Sequence, residues 1–203
     1  MRSYTDELTP QPPLVTAVLA GADFGIRFLA RGIDIILGIL LGVVSGFFAG
    51  ILIAILSSLG RVRSDWVEVV GQTNYWTYVF GILGGLLYHF FAESIGGTTV
   101  GKLICGLNVV QLDGRPCTLV GALKRSVAYL IDALFFGYIA YESMQKSALR
   151  QRHGDIWGKT VVVKKTVFLP TPARAIWRVV AGCMVGSAAL MVAQVTHLLI
   201  AVS

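Results

Sequence analysis

The chain has 203 residues, of which 55% are hydrophobic and only 14% charged, and its mean hydropathy is +0.73. Soluble domains carry about 25% charge, so an ordinary cytosolic globule is disfavoured, and a chain with this much to bury is not intrinsically disordered. Lys and Arg number 17 against 11 Asp and Glu, for a net +6; these bases fall in blocks between apolar runs, which is the pattern of a membrane surface and not of a nucleic-acid interface.

Residues 1–21 are expected as an N-terminal cytoplasmic arm, polar from Met1 to Pro13 and containing Thr9-Pro-Gln-Pro-Pro13. The arm lacks a basic stretch followed by a cleavage site, so the first apolar run is expected to stay as an anchor. That run, 35–60, is uncharged throughout and long enough to cross a bilayer. The second, 69–92, holds no Asp, Glu, Lys or Arg and is interrupted only by His89. Residues 107–112, the Asp113-Gly114 pair and residues 115–120 predict a β-hairpin, and 160–168 predicts a third strand. The third apolar run, 126–141, has 16 residues with Asp132 in its middle. It is too short to span and predicts a re-entrant or broken helix, with Gly137 as the bend. The last run, 179–203, is uncharged and predicts a third full span. The expected fold is an all-α transmembrane helical bundle: three full spans plus the short re-entrant or broken helix, with a small cytoplasmic hairpin or three-stranded sheet. The expected division is an arm (1–21), a membrane domain (22–166), and a linker with an additional helix (167–203).

Charge sets the orientation. In the first loop Arg61 and Arg63 are balanced by Asp65 and Glu68, whereas Lys102, Arg115, Lys124 and Arg125 make the second loop basic. The third is more basic still, with Lys146, Arg150, Arg152, Lys159, Lys164, Lys165 and Arg174. Both basic loops lie inside only if the short run returns to the side it entered. A sheet shared by the two loops requires the same. The N-terminus is then cytoplasmic and the C-terminus periplasmic.

Run one places Gly38, Gly42, Gly46 and Gly50 at four-residue spacing, continued by Ala54 and Ser58. Run two places Gly81, Gly85, His89 and Glu93 likewise, and run four Gly182, Gly186 and Gln194. A step of four residues drifts only about 40°, so each set lines one helix face. Small faces let helices pack closely in lipid, within a chain or between chains. Asp34 and Asp132 are intramembrane acids, costly unless sheltered. Arg27-Phe-Leu-Ala-Arg-Gly-Ile-Asp34 and Arg125-Ser-Val-Ala-Tyr-Leu-Ile-Asp132 match at Arg, Ala, Ile and Asp. Each acid lies two helical turns, about 10 Å, beyond its arginine. We expect a cytoplasm-proximal cluster of Arg27, Arg31, Asp34, His89, Glu93, Arg125 and Asp132, with Arg31 able to pair with Asp34. Two acids close together there would share a proton or hold a cation; a static ionic network is the competing account.

Gly96-Gly-Thr-Thr-Val-Gly-Lys102 fits a phosphate-binding loop, but Leu103 replaces the hydroxyl residue that would hold Mg²⁺, and a membrane helix, not a strand, precedes it. A turn at the membrane exit is expected instead. No catalytic motif is present, and no cofactor or metal is expected. Cys105, Cys117 and Cys183 have no metal spacing and are expected as reduced thiols. His153 is expected as a solvated surface residue, and Tyr75, Trp76 and Trp177 as interfacial anchors.

Taken together, Arg27 to Asp34, Thr99-Val-Gly-Lys102, Gly106-Leu-Asn-Val-Val110, Asp113-Gly114, Arg125 to Asp132, Arg150-Gln-Arg-His-Gly-Asp155 and Thr160-Val-Val-Val163 resemble the RDD family of small bacterial membrane proteins, named for one Arg and two Asp. The resemblance covers about 22–165; the stretch from Phe168 onward departs from the family's short pattern. It implies a bacterial inner-membrane location, with Arg27 as the signature arginine and Asp34 as the first aspartate. The second is Asp132 or Asp155. Transport has been proposed for the family. With three spans hardly able to enclose a path and no inverted repeat, the expected role is non-enzymatic: an accessory, assembly or scaffold subunit. Its partners would be the lipid bilayer and another membrane protein or a second copy, with no nucleic acid. The alternative is a monovalent cation/proton antiporter moving Na⁺ or H⁺ on Asp34 and Asp132. A third reading, from the basic ring at headgroup level, is lipid handling.

Overall fold

The computed structural model describes residues 20–61, 65, 75–164 and 173–202. Residues 1–19 of the arm, 69–74 of the second apolar run, 165–168 of the third expected strand, and the side chains of Trp76 and Gln194 lie outside the described part.

Helix α1 (Phe24–Ser58) has 35 residues, about 50 Å at 1.5 Å per residue. That exceeds the roughly 30 Å hydrocarbon core, so the helix is longer than a single crossing needs. Helix α2 is Tyr75–Gly96. Phe24–Ser58 and Tyr78–Gly96 are the two described helices long and apolar enough to cross a membrane. Most of α1 faces outward: Ile35, Ile39, Val43, Phe47, Phe48 and Ile55 are all exposed. Such an apolar surface is untenable in water and ordinary in lipid. The third expected span falls in α7 (Ala173–Val202), whose described apolar stretch, Trp177–Ala193, falls short of the other two. Helix α7 packs mainly along α2 and secondarily on α1.

After α2 come a short helix α3 (Val100–Ile104) and strand β1 (Leu107–Gln111). Helix α4 (Leu119–Asp132), helix α5 (Leu134–Lys146), one-turn α6 (His153–Trp157) and strand β2 (Thr160–Lys164) follow. The third apolar run is thus broken. The break falls at Ala133, which ends α4 and begins α5, with left-handed backbone at Phe135 (φ 51) and Gly137 (φ 87) just beyond. Neither half, at 14 and 13 residues, can cross a bilayer. Helix α4 is amphipathic in the reverse of the soluble sense. Arg125, Ser126 and Asp132 face inward, while Leu119, Val120, Leu123, Val127 and Leu130 are exposed. That is the pattern of a helix at the membrane interface.

The sheet has two strands, β1 and β2, antiparallel, with Val109 opposite Val162. The Asp113-Gly114 turn forms, with Gly114 at φ +80 and its N–H bonded to Gln111 O. The expected return strand over 115–120 does not: it makes one bridge, Val110 with Pro116. Pro116 has no N–H to donate, and Thr118 caps α4, so Leu119 and Val120 enter the helix. On the other side Gly21 bridges Val163. The two basic loops and the start of α1 therefore meet at one end of the molecule, around a core of Ala22, Ala30, Leu107, Val109, Ala122 and Val162.

Candidate functional site

At that end the helices are joined by a buried ionic network. Arg27 Nη1 donates to Asp155 Oδ2 at 2.6 Å, Nε to the Ala22 carbonyl at 3.0 Å and Nη2 to the Arg150 carbonyl at 2.9 Å. One guanidinium thus ties α1 to its own entry and to the segment around α6. Arg125, only 2% exposed, does the same for α4. Its Nε donates to Glu93 Oε2 at 2.7 Å, and its Nη1 donates to Asp155 Oδ1 and, at 2.9 Å, to Thr160 Oγ1. Glu93 also accepts from Lys102 Nζ, and His89 Nδ1 lies 3.9 Å away. Asp155 is fully buried between Arg27 and Arg125, with Arg152 Nη2 at 3.7 Å and the Arg152 N–H at 3.1 Å.

Such burial is tolerable only because each charge is paired. For Asp155, burial by itself pushes the carboxyl pKa up. The charges of Arg125, Arg152 and Arg27 and the Arg152 N–H outweigh it and hold the group well below the usual carboxylate range. Lys102 runs the other way: burial lowers its pKa, and the Arg125 charge adds to that against the attraction of Glu93.

Asp34 is bonded differently. Its Oδ1 accepts from the Tyr88 hydroxyl at 3.0 Å and the Gly101 N–H at 2.8 Å, and its Oδ2 from the Thr99 hydroxyl at 2.7 Å. All three donors are neutral. Gly101 is needed there because a Cβ would collide with the Ala30 carbonyl and come within 2.9 Å of Asp34 Cγ. Thr99, as cap of α3, also accepts from the Lys102 N–H. The segment dismissed as a phosphate loop therefore serves as the cradle of an aspartate.

Asp132 is held elsewhere. Its Oδ1 lies 3.2 Å from His153 Nδ1, its Oδ2 accepts from the Gly154 N–H at 3.3 Å, and Arg152 Nε is 4.0 Å away. Asp34 and Asp132 share no partner, so the expected acid pair is not formed. Among the described residues no group of three or more His, Cys, Asp or Glu is placed to hold a metal ion. Arg31 does not pair with Asp34: its Nε donates to the Tyr129 hydroxyl at 2.9 Å, and its guanidinium carbon lies 3.7 Å from that ring's centroid. His89 stacks on the same ring at 6.2 Å.

Six of the seven expected residues (Arg27, Arg31, Asp34, His89, Glu93 and Arg125) line one cavity of about 40 Å³, joined by Lys102, Ser126, Tyr129 and Arg152. Asp132 is not in that lining. The sequence reading missed Lys102, Tyr88, Thr99, Gly101 and Tyr129, and treated His153 as a purely solvated residue. Thr99, Gly101 and Lys102 stand in one of the stretches that carry the family resemblance, where the chain leaves a membrane helix, and Tyr129 in another; Tyr88 had no such signal.

The glycines divide. Gly182 and Gly186 pack α7 onto α2, since a Cβ on either would meet Ala92 O at 3.0 Å or Tyr88 O at 2.7 Å. Gly38 has only ordinary contact with Leu190, and a Cβ at Gly46, Gly50, Gly81 or Gly85 meets nothing within 4 Å. Among the described residues, then, Gly38, Gly46 and Gly50 of the α1 stripe zip no helix closely against α1. The buried face of α1 carries Ser45, Ala49 and Ile53, one residue or about 100° away from the glycines. Cys105, Cys117 and Cys183 are free. Burial pushes the Cys117 thiol up to about 11, which leaves it protonated near neutrality.

Apolar helices exposed on most sides, an outward-apolar α4 and an ionic network confined to one end define the class: a helical membrane protein with a polar junction at one face. Within that class the chain belongs to the RDD family, whose model matches residues 21–202. The match extends beyond the stretch its motifs covered and takes in α7. No curated protein and no solved structure matches the chain. Of the two aspartates left open by the family's pattern, Asp155 is the one bonded to Arg27, while Asp132 holds α6.

Proposed function

We propose that this protein is a non-enzymatic scaffold or assembly subunit of an inner-membrane complex, docking a neighbouring transmembrane helix on the outer half of α1. The observation behind this is the open face at Gly46 and Gly50, where no described residue lies within 4 Å of an added Cβ and Phe47 and Phe48 stand exposed alongside. In lipid, small residues flanked by large ones are how helices dock. The ionic junction would hold α1, α2 and α4 at fixed angles behind that face. The junction is proposed to be cytoplasmic, with the N-terminus inside and the C-terminus outside; the pairing of β1 with β2, which brings both basic loops to one end, supports this. The test is purification from native membranes in mild detergent followed by mass measurement. A particle heavier than the 21.9 kDa chain, lost when Gly46→Leu and Gly50→Leu are combined, is expected. A wild-type chain that is only ever monomeric overturns the reading.

One observation favours the antiporter alternative: Asp34 is a buried acid beside a cavity and has only neutral donors. Sodium-dependent pH change in proteoliposomes, abolished by Asp34→Asn, would decide for it, and a flat response against it.

A further inference from the structure

We propose that the cleft between α1, α2 and α4 binds one anionic phospholipid, its phosphate oxygens entering the basic cavity and an acyl chain lying along a glycine-lined groove. The site is separate from the Gly46 and Gly50 face and does not depend on the scaffold reading.

Three buried side-chain atoms, Arg125 Nη2, Ser126 Oγ and Arg152 Nε, have no hydrogen-bond partner among the described residues, and all three residues line the 40 Å³ cavity. Native structures seldom leave buried polar atoms unpartnered, and guanidinium donors are the costliest. Two unpartnered guanidinium nitrogens and a hydroxyl, on residues that line one small space, match an acceptor-rich anion such as a phosphate. The charge balance points the same way. Arg27, Arg31, Lys102, Arg125 and Arg152 stand among the carboxylates of Asp34, Glu93, Asp132 and Asp155, and of these five cations Arg31 is the one not ion-paired with a described carboxylate within 4 Å. The Glu93 charge is offset by Lys102 and Arg125, whereas Asp34, with neutral donors alone, keeps its charge, and an anion is drawn in against it by the five cations that line the cavity.

The cavity does not stand alone. A groove of about 590 Å³ shares Arg31, Asp34, His89 and Tyr129 with it. From there the groove runs between Gly38 and Gly42 on one wall and Gly81 and Gly85 on the other. Arg31 to Gly42 is about 16 Å along α1, roughly one leaflet of a ~30 Å hydrocarbon core. A basic, donor-rich end continuous with an apolar groove one leaflet long fits an amphiphile. A partner helix would fill the groove and leave the three donors unmet.

The experiment uses the full chain purified in neutral detergent, with phosphatidylglycerol, phosphatidylcholine and inorganic phosphate as probes, read by native mass spectrometry. We expect one phosphatidylglycerol per chain, held at least ten-fold tighter than phosphatidylcholine and not displaced by millimolar inorganic phosphate. Gly85→Leu fills open space, so it should block the groove without disturbing packing. Gly85→Leu and Arg31→Gln should each cut retention at least five-fold, and Gly46→Leu should leave it unchanged. Equal retention of the two lipids, full displacement by inorganic phosphate (a free-anion site), or wild-type retention in Gly85→Leu would each overturn the proposal. Should Arg31→Gln fail to fold, Gly85→Leu decides.

Discussion

Arg125 donates to two carboxylates from different parts of the chain, Glu93 and Asp155, so its loss takes one cation from each and leaves Glu93 to Lys102 and Asp155 to Arg27. Breaking a buried ion pair from one side costs about 3–5 kcal/mol. Arg125→Met is expected to fall in that range in thermal or denaturant melts in detergent. Arg115→Ala removes only the exposed partner of Asp113 and should cost less than about 1 kcal/mol. Equal melts for the two variants would show that the junction does not hold the fold. Asp155 also sets an acid limit. Its folded pKa lies below the unfolded value of about 3.9, so its contribution is complete above that value and is lost as pH falls through the folded one. Stability from this group should therefore be flat from about pH 5 to 8 and decline below about pH 4. Asp155→Asn should be less stable at neutral pH and lose that part of the acid dependence. None of these partners was readable locally. Arg27 and Arg125 open stretches that match at four of eight positions, and both bond Asp155, which lies 128 and 30 residues away.

Elements were more legible than their contacts. Apolar periodicity and length were enough for α1 and α2, and the shortness of the third run signalled a broken helix. The location of the break was not legible: Gly137 was the obvious hinge, but the helix ends at Ala133, where Asp132 turns to His153 and Gly154 of α6. Glycine spacing likewise marks a smooth face without saying what meets it. Gly186→Leu would drive a side chain into the Tyr88 carbonyl and part α2 from α7, at a cost of about 1–3 kcal/mol or more. Gly46→Leu, with open space around it, should leave the melt of the isolated chain within about 0.5 kcal/mol. Parallel melts separate the two, and a destabilised Gly46→Leu monomer would mean that this face packs within the chain. The hairpin was half legible: the Asp113-Gly114 turn formed, but Pro116 and the Thr118 cap sent the chain into α4.

For the whole molecule, pairing of β1 with β2 requires the two basic loops to share one side of the bilayer. Single cysteines at Asp113 and Lys164 should thus be labelled by an impermeant maleimide from the same side, and a reporter after Ser203 should read out on the opposite one. Labelling of 113 and 164 from opposite faces would contradict the fold itself. The sequence by itself determined the membrane class, the two long helices, the basic end and the family, because apolarity, periodicity and charge are local properties that need no partner. Only the tertiary structure decided which donor meets which acid. The donors to Asp34 lie 54, 65 and 67 residues further along, and Asp132, which likewise ends an Arg-to-Asp stretch, is bonded to entirely different groups. In a low-dielectric interior a carboxylate is settled by whatever donors the packing brings within about 3 Å, and that proximity exists only once the helix ends have come together.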